Sequence, residues 1–304
     1  MISLVSHPDY DIPLPDGHRF PATKFSRLVS RLHADGIVGQ FVPLQPEPVN
    51  PIALSLTQDA GYIDAIANGT LDRESQRVLG LTWSQVLANR SFLAVNGTLL
   101  AARHALAHGM ACHAAGGTHH AHHAHGAGFC VFNDLAYTAA RLRADGDVQR
   151  VLILDCDVHQ GDGTARILEQ HPDIFTCSIH CRANYPARKA TSDLDVEIDK
   201  GADDSGYLAI LADTLSRLDL LWPDPDLVLY DAGVDIHEGD RLGLLNVTYD
   251  GIRARDLMVL QHFRGRGVPV ATVIGGGYGT DLDEVAYRHS LLFHAALAVA
   301  HDQA

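Results

Sequence analysis

From about residue 148 the chain alternates short apolar runs with longer amphipathic ones, and this alternation restricts the possible folds more than any other feature. VQRVLILDCD, IFTCSIH, PDLVLYDAG and VPVATVIGGG are short, rich in branched residues and end in polar or glycine positions, the pattern of strands. Between them GTARILEQH, SGYLAILADTLSRLDLL and DGIRARDLMVLQHFRGRG carry helical periodicity, the last closing at Gly265 and Gly267 before Pro269. Strands separated by helices pair in parallel through right-handed crossovers. Strands that are apolar throughout, rather than at alternate positions, belong to a sheet covered on both faces. The expected fold is α/β, a central, mostly parallel sheet flanked by helices, with a site at the carboxyl ends of the strands.

Upstream, SFLAVNGTLLAARHALAHG reads as a helix stopped by Gly109, and VFNDLAYTAARLRADG as another ending at Gly146. The first hundred residues look helical and loop-rich, with DAGYIDAIANG a short helix and VPLQPEPVNP a proline-spaced connector. No internal repeat or linker composition divides the 304 residues, so 1–304 is expected to form a single domain.

The net charge of −14 without a basic cluster argues against nucleic acid as a partner. It fits a soluble protein first, and a cationic ligand second. No apolar run approaches the roughly 20 residues that a membrane helix needs, and the start MISLVSHPDYDIPLPDGHRF lacks the pattern of a secretory signal, so the expected compartment is the cytoplasm. Cys112, Cys130, Cys156, Cys177 and Cys181 are odd in number and contain no CxxC pair, which fits buried reduced thiols.

The chemistry collects at strand ends. In LDCDVHQGDGTA, side chains two apart on an extended segment share a face, so Asp157 and His159 can converge on one ion with Asp155 behind them. Carboxylate and imidazole together suit zinc, iron or manganese. A polar loop with Asp162 as helix cap is the plainer alternative. Two carboxylates crowded with a histidine after a buried strand, however, need a cation to offset their repulsion and lost hydration. LVLYDAGVDIHEGD supplies Asp231, Asp235, His237, Glu238 and Asp240 at a second strand end, and a third carboxylate ligand is expected here. Asp235 is the choice, although spacing alone does not separate it from Asp231; His237 reads as a loop residue. VIGGGYGT puts Tyr278 on the same rim after a flexible turn, and lacks the GxGxxG spacing of a nucleotide loop.

GGTHHAHHAHGAGFC, residues 116–130, holds five histidines within seven positions. It lies between two helix patterns rather than in a polar tail, and next to strand-end carboxylates its histidines can act as general bases whose tautomers are fixed by Asp155 and Asp162.

Together GGTHH, GFCVFND, DCDVHQGDG, VDIHEGD and GGGY resemble, in order and spacing, the zinc-dependent histone deacetylase family of the arginase-like superfamily. HPDYDIP and HRFP resemble its class-four and short bacterial members. The resemblance implies a zinc site of Asp157, His159 and Asp235, a catalytic pair His119 and His120 partnered by Asp155 and Asp162, and Tyr278 polarising a carbonyl. It also implies a structural K+ or Na+ near Asp155, Asp157, His159 and Ser178, and an acyl-lysine tunnel walled by Phe129 and Tyr185 with Gly128 at its floor or side. His122, His123 and His125 depart from the pattern and read as loop histidines near the mouth. Gln160 replaces a second histidine of many relatives, as in class-four members, a branch that includes enzymes removing long acyl chains. The implied activity is zinc-dependent hydrolysis of acetyl or longer acyl groups from lysines of proteins or peptides. The alternatives are hydrolysis of small acetylated amines such as acetylpolyamines, and a metal- or acyl-binding module without turnover.

Overall fold

Among the described residues eight strands form one sheet, and every pairing in it is parallel. The computed structural model describes residues 1–15 and 17–302. The strands are β1 (Ile2–Val5), β2 (Phe41–Leu44), β3 (Met110–His113), β4 (Val151–Asp155), β5 (Ile174–Cys181), β6 (Leu194–Ile198), β7 (Leu227–Asp231) and β8 (Val270–Val273), in the order β2-β1-β3-β8-β7-β4-β5-β6. The four strands expected from the apolar runs are β4, β5, β7 and β8. Central strands β3, β4, β7 and β8 are buried at every position, as a sheet covered on both faces requires.

The amino-terminal hundred residues are mainly helix and loop, as expected, with two short strands besides. They contribute β1 and β2, and the proline-spaced connector begins inside β2. Four-residue strands are too short to show a period. Pro43 is tolerated because β2 is an edge strand that pairs only with β1, so its missing N–H interrupts no second ladder. β3 and β6 were equally hidden, β3 because MACH follows directly on a long helix. That helix, Gln85–His108, starts six residues earlier than its apolar pattern suggests, where the Ser84 hydroxyl accepts from Leu87 N. All five cysteines are buried and free. Among the described residues no helix is long and apolar enough to cross a membrane.

After β3 the chain crosses to β4, builds outward through β5 and β6, and returns to fill the gap with β7 and β8. The carboxyl ends of β3, β8, β7 and β4 therefore lie side by side at one edge, the place where a doubly wound sheet forms its crevice. The histidine-rich segment leaves β3 there. A buried chain of hydrogen bonds fixes its path: Tyr10 Oη to His113 Nε2 (2.8 Å), His113 Nδ1 to Thr98 Oγ1 (3.0 Å), and Thr98 Oγ1 to Asp134 Oδ2 (2.6 Å). The same carboxylate then accepts from Thr118 N (2.7 Å) and Gly117 N (3.2 Å). Burial, reinforced by Arg90, lowers the His113 pKa to about 3, so this ring is a neutral link.

Gly97 in the long helix makes room for that chain: a Cβ there would stand 2.5 Å from both His113 Nε2 and Tyr10 Oη. Gly97→Ala gains about 1 kcal/mol in helix propensity. It forces apart a buried hydrogen bond and overpacks the contact, at a cost of about 1–3 kcal/mol for each effect. The expected outcome is a net loss, read as a lower urea midpoint at unchanged slope; a midpoint at or above wild type would show that the helix and strand yield freely here.

Candidate active site

Asp155 ends β4, and the next turn carries Asp157 and His159. Asp157 N donates to Asp155 Oδ1 (3.0 Å) and His159 N to Asp157 Oδ1 (2.9 Å), so the turn is tied by its own carboxylates. Asp235, four residues beyond β7, accepts from Val158 N (2.9 Å), which locks the second strand end to the first. His159 Nδ1 then lies 2.9 Å from Asp157 Oδ1 and 3.0 Å from Asp235 Oδ2. Ligand atoms of Asp157, His159 and Asp235 all fall within 4.8 Å of one another. Gly276 closes the group from above, since a Cβ at that residue would stand 2.2 Å from Asp235 Oδ2 and 2.6 Å from Asp157 Oδ2.

This donor set fits a divalent ion. Two carboxylates and one imidazole converge in a site buried from water, and three ligands leave room for further coordination. Without an ion the charges are balanced by protons. Burial works against a charged His159, but Asp157 and Asp235 overcome it and raise its pKa to about 10. Burial and the Asp157 charge push Asp235 up to about 7, while Asp157 is held below the usual carboxylate range by His119 and His159 despite its burial.

Beside this group the rings of His119 and His120 lie 4.1 Å apart. His119 Nδ1 is 2.7 Å from Asp155 Oδ2, and His120 Nδ1 is 2.7 Å from Asp162 Oδ1. Gly128, at φ 53°, gives His120 its space: a Cβ would meet His120 Cδ2 at 2.5 Å. The two histidines are driven in opposite directions. For His119, the carboxylates of Asp155 and Asp157 outweigh burial and raise the pKa well above the ordinary value. For His120, burial and the neighbouring His119 lower it to about 4.

The group lies at the buried end of a cavity of about 380 Å³. Phe129 and Tyr185 line it, with the Tyr185 ring edge-on to His120 at 4.8 Å. Phe129 holds φ at 68°, rare for an aromatic residue, and is secured by its N–H donating to Leu79 O (2.8 Å). Tyr278 also lines the cavity, 6.2 Å from the His159 ring and 6.0 Å from the Phe129 ring. Burial and the charges of Asp157 and Asp235 hold its hydroxyl well above the ordinary pKa, so it keeps its proton.

Asp231, the competing choice for the third carboxylate, groups instead with His119 and Asp155. Ser178 stands opposite Asp155 in the β4–β5 register, its hydroxyl 3.0 Å from His180 Nδ1. His237 is a buried loop residue stacked on Tyr249 at 4.3 Å. None of His122, His123 and His125 lines the cavity, although all three lie on the loop beside it. His122 turns inward, with Nε2 3.3 Å from Asp162 Oδ2, and stacks on His125 at 4.6 Å. His123 Nδ1 is 2.9 Å from Thr57 O.

Several contributors had no role assigned from the sequence, although Asp240 was among the strand-end acids. Asp134 anchors the histidine loop as described. Asp240 accepts from Tyr278 N (2.6 Å), Leu242 N (2.9 Å) and Arg288 Nη1 (3.0 Å), and so sets where the tyrosine stands. Asn184 lies 3.4 Å from His159 Nε2. Asp134 and Asp240 sit inside the motifs GFCVFND and VDIHEGD, which is the signal that was available; Asn184 had none.

A family model described as the histone deacetylase domain matches residues 18–293. Histone deacetylase 2 of Arabidopsis thaliana is 30% identical over 294 residues, which span 91% of this chain and 74% of that protein. An uncharacterized protein of Picosynechococcus sp. is 48% identical over 293 residues, 96% of this chain and 97% of its own. The crystal structure of the HDA15 HD domain superposes with a TM-score of 0.81 over 97% of this chain and 90% of that one; at 21% identity this bears on the fold alone. The chain belongs to the histone deacetylase family, with the α/β architecture of that family.

Both Asp231 oxygens are buried without a hydrogen-bond partner. Burial, then the Asp155 charge, raises this carboxyl well above the ordinary range. A raised carboxyl pKa adds stability at low pH that is lost as pH climbs from the unfolded value, about 3.9, through the folded one. The metal-free wild type should therefore lose stability relative to Asp231→Asn between pH 4 and pH 8 in urea unfolding. A difference that does not change with pH would mean that Asp231 is already compensated.

Proposed function

We propose that this protein is a zinc-dependent lysine deacylase, removing acetyl or longer acyl groups from lysine side chains of proteins or peptides. One observation carries the reading: Asp157, His159 and Asp235 converge beside two histidines, each backed by its own carboxylate, at the closed end of a cavity flanked by aromatic rings. A zinc ion held by those three residues supplies a Lewis acid that polarises the acyl carbonyl and makes water acidic near neutral pH. The remaining work falls to the chain's own groups.

The cavity takes an acyl-lysine end-on, with its methylene stem between Phe129 and Tyr185, and these rings keep bulk water from the buried end. His120 is neutral at physiological pH and takes the proton of the attacking water; it later returns that proton to the departing amine, leaving a free lysine and a carboxylic acid. His119, held as the charged partner by Asp155, steadies the negative charge that develops at the carbonyl carbon's oxygens. Tyr278, kept protonated, donates a hydrogen bond to the carbonyl oxygen as it becomes an oxyanion, a contact stronger in the transition state than in the ground state. Asp162 holds the His120 Nδ1 proton and so fixes the tautomer that leaves Nε2 free. The structural K+ or Na+ at Asp155, Asp157, His159 and Ser178 belongs to the same proposal and would brace the end of β4.

Tyr278→Phe should keep zinc at wild-type stoichiometry and lose about 100- to 1,000-fold in kcat, the size typical of one oxyanion donor. The assay is a set of lysine peptides with acyl chains of increasing length, with a chelator control. Turnover within a few-fold of wild type would remove Tyr278 from this role, and no hydrolysis of any peptide by the zinc-loaded protein would remove the activity itself.

Metal binding also carries a proton signature. His159 keeps its proton up to about pH 10 and Asp235 up to about pH 7, so to hold an ion both would have to give up a proton below pH 7, and only His159 at pH 8.5. Zinc binding should therefore release about two protons at pH 6 and about one at pH 8.5, with affinity rising with pH. Calorimetry in buffers of different ionisation enthalpy measures this; release independent of pH would contradict the assigned ligands.

A further inference from the structure

The exposed end of the cavity carries the opposite charge to the rest of the molecule. Of the residues lining it, Arg19 and Arg77 are cationic and none is an aspartate or glutamate. This stands out in a chain with 37 acidic residues against 23 lysines and arginines. Both arginines are exposed, and among the described residues neither forms an ion pair or a side-chain hydrogen bond. Exposed arginines elsewhere are either paired, as Arg103 is with Asp145, Arg182 with Glu197 and Arg266 with Asp224, or, like Arg217 and Arg253, stand outside the cavity, so it is the lack of a partner together with the place on the cavity that sets Arg19 and Arg77 apart. Asp72, at the start of the helix Arg73–Leu79 that bears Arg77, is occupied with Ser75 N and Oγ. Two exposed, uncommitted guanidiniums lining one cavity offer paired N–H donors to an anionic group.

We propose that Arg19 and Arg77 select substrates carrying a carboxylate close to the acylated lysine, that is, acidic peptide segments. The inference rests on the deacylase reading above and names its substrate class. An acyl chain enters the buried end, where the lining groups are His120, His159 and Tyr278, so an acid on the acyl group would not meet these arginines. What lies at the rim when the lysine stem fills the cavity is the peptide on either side of it. The same two charges oppose a polyamine, whose extra ammonium groups would stand against the guanidiniums, and this weighs against small acetylated amines as substrates. The overall field of the protein repels acidic chains, so the two arginines give a local reversal of sign that holds the correct segment once it arrives.

The test uses the zinc-loaded full chain and one acyl-lysine in three peptide contexts, with glutamate, alanine or lysine on both sides. A fourth peptide places alanine around succinyl-lysine. The expected result is kcat/KM at least tenfold higher for the glutamate than for the lysine context at low ionic strength, shrinking in 0.5 M salt as the roughly 10 Å screening length contracts. The double variant Arg19→Glu, Arg77→Glu should invert the preference, an outcome that a misfolded protein cannot imitate. Arg253→Ala, an exposed arginine outside the cavity, controls for net charge and should leave the ratio alone. Equal rates in the three contexts, a preference untouched by the double variant, or a preference seen only for the succinyl group would each overturn the proposal. If no peptide is hydrolysed, the deacylase reading fails separately. Fluorescence anisotropy of the same peptides then decides this one, with tighter binding of the glutamate peptide, lost in the double variant, expected, and equal binding against it.

Discussion

Five carboxylates, those of Asp155, Asp157, Asp162, Asp231 and Asp235, are buried together at one edge of the sheet, each no more than 5% exposed. How this negative charge is balanced governs the whole site. A buried carboxylate in a poorly polarisable surrounding needs a cation, a proton or several hydrogen bonds. The chain uses all three. Asp155 has the His119 ring, Asp162 has His120 and His122, Asp157 and Asp235 share His159, and Asp231, without a hydrogen-bond partner, is driven toward its neutral form by burial and the Asp155 charge. Beneath them, the fully buried Arg255 pairs with Asp256 and donates to the carbonyls of Ala232 and Gly233, fastening the segment that leads from β7 to Asp235. An ion at Asp157, His159 and Asp235 would complete the balance, which is why the donor set points to metal chemistry.

The parallel sheet makes this concentration of charge possible. Every strand delivers its carboxyl end to the same edge, so four loops from distant parts of the chain meet without long excursions. The glycines of GGGY let the backbone of residue 276 pass within contact of two carboxylates, where any side chain would collide. Asp240, itself paired with Arg288, accepts from Tyr278 N and so fixes the tyrosine at the buried end of the cavity. Rigidity comes from the same source, since the hydrogen-bond chain through His113, Thr98 and Asp134 ties the histidine loop to the long helix and the amino terminus.

Around this charged base the cavity is apolar in its middle and cationic at its mouth. Phe129 and Tyr185 suit a methylene stem, and Arg19 and Arg77 suit what lies outside it. On the proposed reading these two regions divide the work, the buried end meeting the scissile amide and the rim the chain that carries it.

Much of this was legible in the residues. The order of strands and helices after residue 148 implied parallel pairing, and strand-end motifs put forward Asp157, His159 and Tyr278, because local spacing and residue type survive in sequence; the pair His119 and His120, and Asp235 as third carboxylate ligand, were implied by the family resemblance. The four-residue strands β1, β2 and β3 were not legible, for no period is visible over so short a span and, unlike β8, they lie in no longer run of branched residues closed by glycines. Nor could spacing separate Asp235 from Asp231, since both follow β7; the direction of each side chain in the folded edge puts Asp235 with His159 and Asp231 with His119. His122 looked like one more loop histidine until the fold turned it onto Asp162. The amino-acid sequence by itself determined the fold class and the chemical types present. Only the tertiary structure decided which carboxylate faces which imidazole, and that two arginines 58 positions apart share one rim, because such pairings depend on through-space distances of a few ångströms set by packing between elements remote in the chain.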